Sequence, residues 1–162
     1  MASRSNLLYS VAAARRVLGL RSSTPVEMRE FFKVIWVWAK GRRPTFISKS
    51  AFKIHFVEHR KAESRDLDVT QCPHQPTRYI VSNKLKGSSY VVDCSPTQLE
   101  CTCEDYKMQQ QIFGRGCCKH GYAVLSYLGF NSLESYIKAH AIAVDTKTQL
   151  PASNKLSEKH AA

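Results

Sequence analysis

Two short motifs hold the residues best suited to chemistry. Cys101-Thr102-Cys103 is followed, after fourteen intervening residues, by Cys118-Lys119-His120. Together they supply three thiolates and one imidazole, the closed tetrahedral donor set that a structural Zn²⁺ prefers. A catalytic zinc keeps one position open, whereas here four ligands are already present. A disulfide framework demands an oxidising compartment; no secretory signal is expected here, and 162 residues suffice to build a core without staples. A catalytic thiol needs a base and an orienting carboxylate, and no cysteine sits beside such a pair. Cys117 stands open as an alternative to Cys118, in a C-x-x-H arrangement. Cys94 ends an apolar run and reads as a small buried hydrophobe. Cys72-Pro73-His74 repeats the C-x-H spacing without a C-x-C partner of its own.

Ligands so far apart in sequence need elements that return them to one point. Glu104 and Asp105 suit the start of a short helix after the first pair, and Gly114 and Gly116 suit its stop. Ahead of the motifs, Tyr79-Ile80-Val81 and Tyr90-Val91-Val92 are β-rich runs about a turn at Lys86-Gly87-Ser88, which predicts a hairpin. Behind them, Gly121 to Leu128 reads as a helix ended by Gly129. Asn131-x-x-Glu134 is a capping-box signature for another, with Leu133, Tyr136, Ile137, His140 and Ala141 on one face.

With the hairpin before it and the apolar helix after it, the run CTCEDY…CCKHGYAVLSYLG resembles the SWIM-type zinc finger, whose pattern is C-x-C, a variable gap and C-x-H. The resemblance spans roughly residues 76–130. It implies a ββα module stabilised by zinc on Cys101, Cys103, Cys118 and His120. It also implies a module that binds DNA or partner proteins and has no catalytic activity of its own.

The charge lies elsewhere. The chain carries 24 Lys+Arg against 13 Asp+Glu, a net +11. Residues 1–66 hold 14 basic and five acidic residues, a surplus of nine, against a surplus of two for the remainder. Such a balance points to a polyanion, nucleic acid before a membrane surface. No apolar run approaches the ~18 residues of a spanning helix, so no membrane partner is expected.

Ser10 predicts a cap for a helix over Val11–Leu18, with Gly19 as its stop, and Thr24-Pro25-Val26-Glu27 a second helix start. Val34-Ile35-Trp36-Val37-Trp38 reads as a strand or a buried helix, with both tryptophans in the core. After the turn Lys40-Gly41-Arg42-Arg43-Pro44, Ser48 or Ser50 caps a helix with Phe52, Phe56 and Val57 inward. YSVAAARRVLGL and ISKSAFKIHF resemble the first and last helices of the excisionase- and MerR-type winged helix-turn-helix. Two other readings stand beside it. One is an unrelated basic helical domain. The other is an organellar transit segment over residues 1–26, which hold four arginines, five serines and no acid. Phosphate contacts are expected from Arg42 and Arg43 at the turn, and from Lys49, Lys53, Arg60 and Lys61 on the following helix.

The expected fold class is α+β in two parts. Residues 1–66 form a basic helix-rich, winged-helix-like half; 67–76 a Pro-rich connector through Gln71-Cys72-Pro73-His74-Gln75-Pro76; 77–144 the zinc finger with its following helices; and 145–162 a disordered tail. The expected function is zinc-dependent binding of nucleic acid, DNA first with RNA open, inside the cell in the cytoplasm or nucleoid. The alternative is an adaptor that recruits an ATPase, transposase or recombinase as protein partner. An enzyme is not expected, because the sequence shows no nucleophile–base pair, phosphate loop or paired carboxylates.

Overall fold

The computed structural model describes residues 3–148 and is α+β. Two short helices open the chain, α1 (Arg4–Leu8) and α2 (Val11–Val17), each started by a serine whose hydroxyl accepts a backbone N–H three residues on. An antiparallel meander follows: β1 (Val26–Glu30), β2 (Val34–Ala39) and β3 (Thr45–Ser48), with β2 central. Helix α3 (Lys49–Ser64) is capped by Ser48, whose Oγ accepts from Ala51 N at 3.0 Å. Ile35, Val37 and Ile47 from one sheet face pack with Ala13, Ala14 and Phe52, forming a first core.

Nothing supports the winged helix-turn-helix. Where a second helix was expected after Thr24, Val26-Glu27-Met28-Arg29-Glu30 runs as a strand instead. Val26 and Met28 turn toward the core while Glu27 and Arg29 turn out, so a period of two overrides the capping-box signal. The same alternation corrects the placement of the tryptophans. Ile35, Val37 and Ala39 are buried, and Trp36 and Trp38 occupy the opposite, half-exposed face.

The second sheet is a four-stranded meander: β4 (Asp68–Cys72), β5 (Gln75–Asn83), β6 (Ser88–Cys94) and β7 (Leu99–Cys101). The expected hairpin is β5–β6, with Tyr79 opposite Val92 and Val81 opposite Tyr90. Residues read as a connector form the β4–β5 hairpin: Gln71 pairs Tyr79, Cys72 pairs Gln75, and a bulge absorbs the mismatch. Pro76 sits near the start of its strand, where a missing donor costs little.

Three helices complete this part: α4 (Glu104–Phe113), α5 (Lys119–Tyr127) and α6 (Leu133–Thr148). Gly114 ends α4 at φ 68°, a left-handed cap that glycine adopts without strain. The cap of α6 is Ser132, whose Oγ accepts from Ser135 N at 3.1 Å, one residue beyond the expected Asn131. Val124 and Leu125 of α5 and Tyr136 of α6 cover Tyr79, Val81 and Val92 in a second core. Residues 145–148 continue α6 rather than beginning a tail; the tail expected over 149–162 lies outside the described residues. No helix among the described residues is long and apolar enough to cross a membrane.

Helix α3 serves both parts. Its first turns bury Phe52 in the first core, its later turns lie along α5, and Phe56 at its middle meets Phe113 of α4 edge-on at 6.4 Å.

Candidate metal centre

Each ligand motif ends one element and begins the next. Cys101 closes β7, Cys103 is the N-cap of α4, and Cys118 is the N-cap of α5, with His120 in that helix's first turn. The Cys103 sulfur accepts from Tyr106 N at 3.4 Å and the Cys118 sulfur from Gly121 N at 3.5 Å. Two sulfurs therefore sit at helix N-termini, where backbone N–H groups and the helix dipole favour a thiolate.

The four donor atoms lie within 4.8 Å of one another, and all four residues are buried. His120 Nδ1 is 3.7 Å from the Cys101 sulfur and 3.8 Å from the Cys118 sulfur. A tetrahedral zinc with ordinary Zn–S and Zn–N bonds spaces sulfur and nitrogen by about 3.6 Å. Donor type, number and spacing all fit zinc. The His120 ring also packs on Tyr90, centroids 4.4 Å apart, which restrains the imidazole's orientation.

Without an ion the cluster is electrostatically frustrated. Hydrogen bonds from Cys101 and Cys118 hold the Cys103 sulfur as a thiolate, far below the usual thiol range. Cys101 is pushed up to about 12, first by its hydrogen bond to Cys103. Cys118 is pushed up by hydrogen bonds to Cys101 and Cys103, then by burial. One negative charge is shared among three sulfurs, and a divalent cation resolves the conflict by allowing all three to ionise.

Cys118, not Cys117, joins the cluster. Burial pushes the Cys117 thiol up to about 12, and its sulfur turns toward the Cys118 carbonyl. Cys94 is buried in the second core, its thiol raised to about 11 by desolvation. Cys72 and His74 lie at the β4–β5 turn and join no group of three metal-binding side chains among the described residues. None of the six cysteines is paired in a disulfide.

A polar relay braces the two ligand arms. Asp105, two residues after Cys103, receives Arg60 from α3 and also Gln109 Nε2 at 3.1 Å. Gln109, 3% exposed, accepts Cys117 N on its Oε1 at 3.1 Å, next to Cys118. The relay needs Gly116: a Cβ there would lie 2.5 Å from Gln109 Cβ. Sequence spacing does not reveal this relay, because Arg60 lies 45 residues from Asp105.

The expected phosphate contacts are dispersed. Arg42 and Arg43 are exposed at the β2–β3 turn, Arg42 lending one N–H to Leu18 O at 3.3 Å. Lys53 is exposed on α3. Lys49 is held by Glu30 at 2.6 Å, and Lys61 by Glu58 at 3.1 Å. Arg60 is committed to Asp105 by two hydrogen bonds, so its charge is already matched.

No curated protein and no solved structure matches the chain. The family comparison matches residues 90–129 to the SWIM zinc finger, a span that begins on β6, contains all four ligands and ends just past α5. Residues 90–129 are a SWIM zinc finger, whose Cys101, Cys103, Cys118 and His120 form a group suited to zinc.

Proposed function

We propose that this chain is a zinc-dependent nucleic-acid-binding protein with DNA as its first ligand and no reaction of its own. The observation that carries the proposal is the pairing of a closed Cys3His group with a basic first part. The metal's four positions are filled by protein, which favours scaffolding over catalysis. The surplus of nine positive charges before Leu67 would supply phosphate contacts whose strength falls with salt through counterion release.

Arg43 and Lys53 are the best placed of the expected contacts, both being exposed and neither ion-paired among the described residues. Arg60 belongs instead to the zinc finger's support. Zinc acts in this proposal by folding the second part, against which α3 is braced.

A salt-titrated gel shift on the zinc-loaded protein, with and without chelator, tests the reading. Affinity should fall steeply between low and moderate salt, and chelation should weaken it further. Affinity indifferent to salt, or absent at low salt, would favour a protein-recruiting adaptor instead.

A further inference from the structure

We propose that the open face of the β1–β2–β3 sheet is a stacking platform for the unpaired bases of single-stranded nucleic acid. The proposal rests on the nucleic-acid reading above and names the form of ligand and the surface that takes it.

The face is set by strand register. Trp36, on the central strand, lies between Arg29 of β1 and Phe46 of β3, and Trp38 lies opposite Glu27. Phe46 is 63% exposed, and Phe31, 51% exposed, meets it edge-on with ring centroids 6.2 Å apart. The Arg29 guanidinium stands 5.7 Å from the Trp36 ring centre. These aromatic side chains contribute nothing to the core beneath, which Ile35, Val37, Ile47 and Phe52 already fill from the other side. A large apolar surface left open on a sheet marks a binding site more often than an accident of composition.

Geometry and charge select the occupant. Trp36 and Trp38 are two residues apart on one strand face, ~6.8 Å along an antiparallel strand. That is about twice the 3.4 Å step of stacked bases, so neighbouring bases must unstack to lie one on each ring. Bases in a duplex have both faces covered; unpaired bases do not. Cations flank the platform at both ends of β2: Lys33 precedes it, and Lys40, Arg42 and Arg43 follow it, all exposed. Glu27 is the acidic residue on the face itself, and Glu30, on the other face, is neutralised by Lys49. A second copy of this chain would bring like charges together here, whereas a phosphate backbone complements them.

The protein carries its own reporter, because Trp36 and Trp38 are its two tryptophans and both lie on this face. The zinc-loaded full chain is titrated with oligo-dT of about 16 nucleotides, a length at the upper end of single-fold binding sites, and with a mixed-sequence duplex of the same length. Oligo-dT should bind more tightly than the duplex and quench tryptophan emission. Trp36→Ala with Phe46→Ala should weaken oligo-dT binding on the order of 10- to 100-fold, as loss of base stacking does, and leave duplex affinity unchanged. Phe46→Ser alone, at the most exposed ring of the pair, should give a smaller loss in the same direction. Equal affinity for both ligands with no quenching overturns the platform while leaving nucleic-acid binding intact. A double variant that keeps full oligo-dT affinity but loses self-association in sedimentation also overturns it, and assigns the face to a second copy. Failure of the wild-type chain to bind either ligand at low salt removes the nucleic-acid reading and this proposal together.

Discussion

Arg60 of α3 grips Asp105 of α4 with two parallel hydrogen bonds, Nε to Oδ2 at 2.9 Å and Nη2 to Oδ1 at 2.6 Å. A further N–H of the same guanidinium donates to Phe56 O at 3.1 Å, and the group lies 3.5 Å from the Phe56 ring centre. Bidentate geometry and flanking apolar surface make this pair stronger than an ordinary surface bridge. Its position matters as much: Asp105 follows the ligand Cys103 by two residues, so the basic first part of the chain is fastened to the metal knuckle itself.

Arg60→Ala and Asp105→Ala should each destabilise the zinc-loaded protein by about 1.5–3 kcal/mol, the usual worth of a hydrogen bond to a charged group. The double variant should lose less than the sum, because either single change leaves the other charge unmatched. Urea unfolding of all four proteins measures this coupling. Strict additivity would show that the contact carries no energy between the two parts.

Gly116→Ala tests the relay at its tightest point. The added Cβ would sit 2.5 Å from Gln109 Cβ and 2.9 Å from its Oε1. Gln109 must then shift and release Cys117 N, which it holds at 3.1 Å beside the ligand Cys118. The expected cost is about 1–3 kcal/mol, typical of overpacking, with a parallel loss of zinc affinity in a chelator competition. Gly114→Ala is the contrast: nothing lies near its Cβ, so only the strain at φ 68° opposes it.

Much of the metal site was legible because ligand chemistry is local: a C-x-C, a C-x-H and the residues that turn the chain between them are contiguous in sequence. The β5–β6 hairpin was legible for the same reason, its period-two runs flanking a glycine turn. The first part was not. Thr24-Pro25-Val26-Glu27 carries a true helix-start pattern, yet pairing of Val26 with Ala39 and Met28 with Val37 draws the segment into the sheet. Local propensity lost there to a tertiary choice. Pro73 and Pro76 gave a similar false signal, since prolines in a hairpin turn and at a strand start resemble those of a linker. Arg60 looked like a free cation because nothing near it in sequence reveals Asp105.

His55 and His59 predict a pH response separate from the metal. Their rings are 5.5 Å apart beside a cavity of about 230 Å³ that Leu7, Arg16, Glu63 and Lys119 also line. Burial, followed by the Arg16 charge, holds both imidazoles below their ordinary value; Arg60 adds to the effect at each, and Glu63 opposes it at His59. The unfolded chain therefore binds more protons just below pH ~6.5. Stability should decline as pH falls through that value and level off once the folded imidazoles are themselves protonated. His55→Gln should flatten this portion of the profile when unfolding midpoints are compared at pH 7.5 and 5.5, at about the same ionic strength. Parallel profiles for the variant and the parent would remove His55 from the account.

Zinc affinity should itself rise with pH, and the slope reports the state of the free cluster. Cys103 is already a thiolate before the metal arrives, while Cys101, pushed up to about 12, and Cys118, pushed up as well, keep their protons. Binding then expels about two protons per zinc rather than the three of an unstructured chain, since every ligand sulfur must ionise. Between about pH 7 and 8 the logarithm of the association constant should climb by about two per pH unit, measured by competition against a chelator of known proton dependence. Cys103→Ser should lower both affinity and slope, since zinc loses a ligand and the charge that Cys103 carried passes to the two remaining sulfurs. Cys118→Ser should lower both, and should unfold the part of the chain that α5 covers. A slope of about three for the parent protein would mean that the three sulfurs do not meet until zinc gathers them.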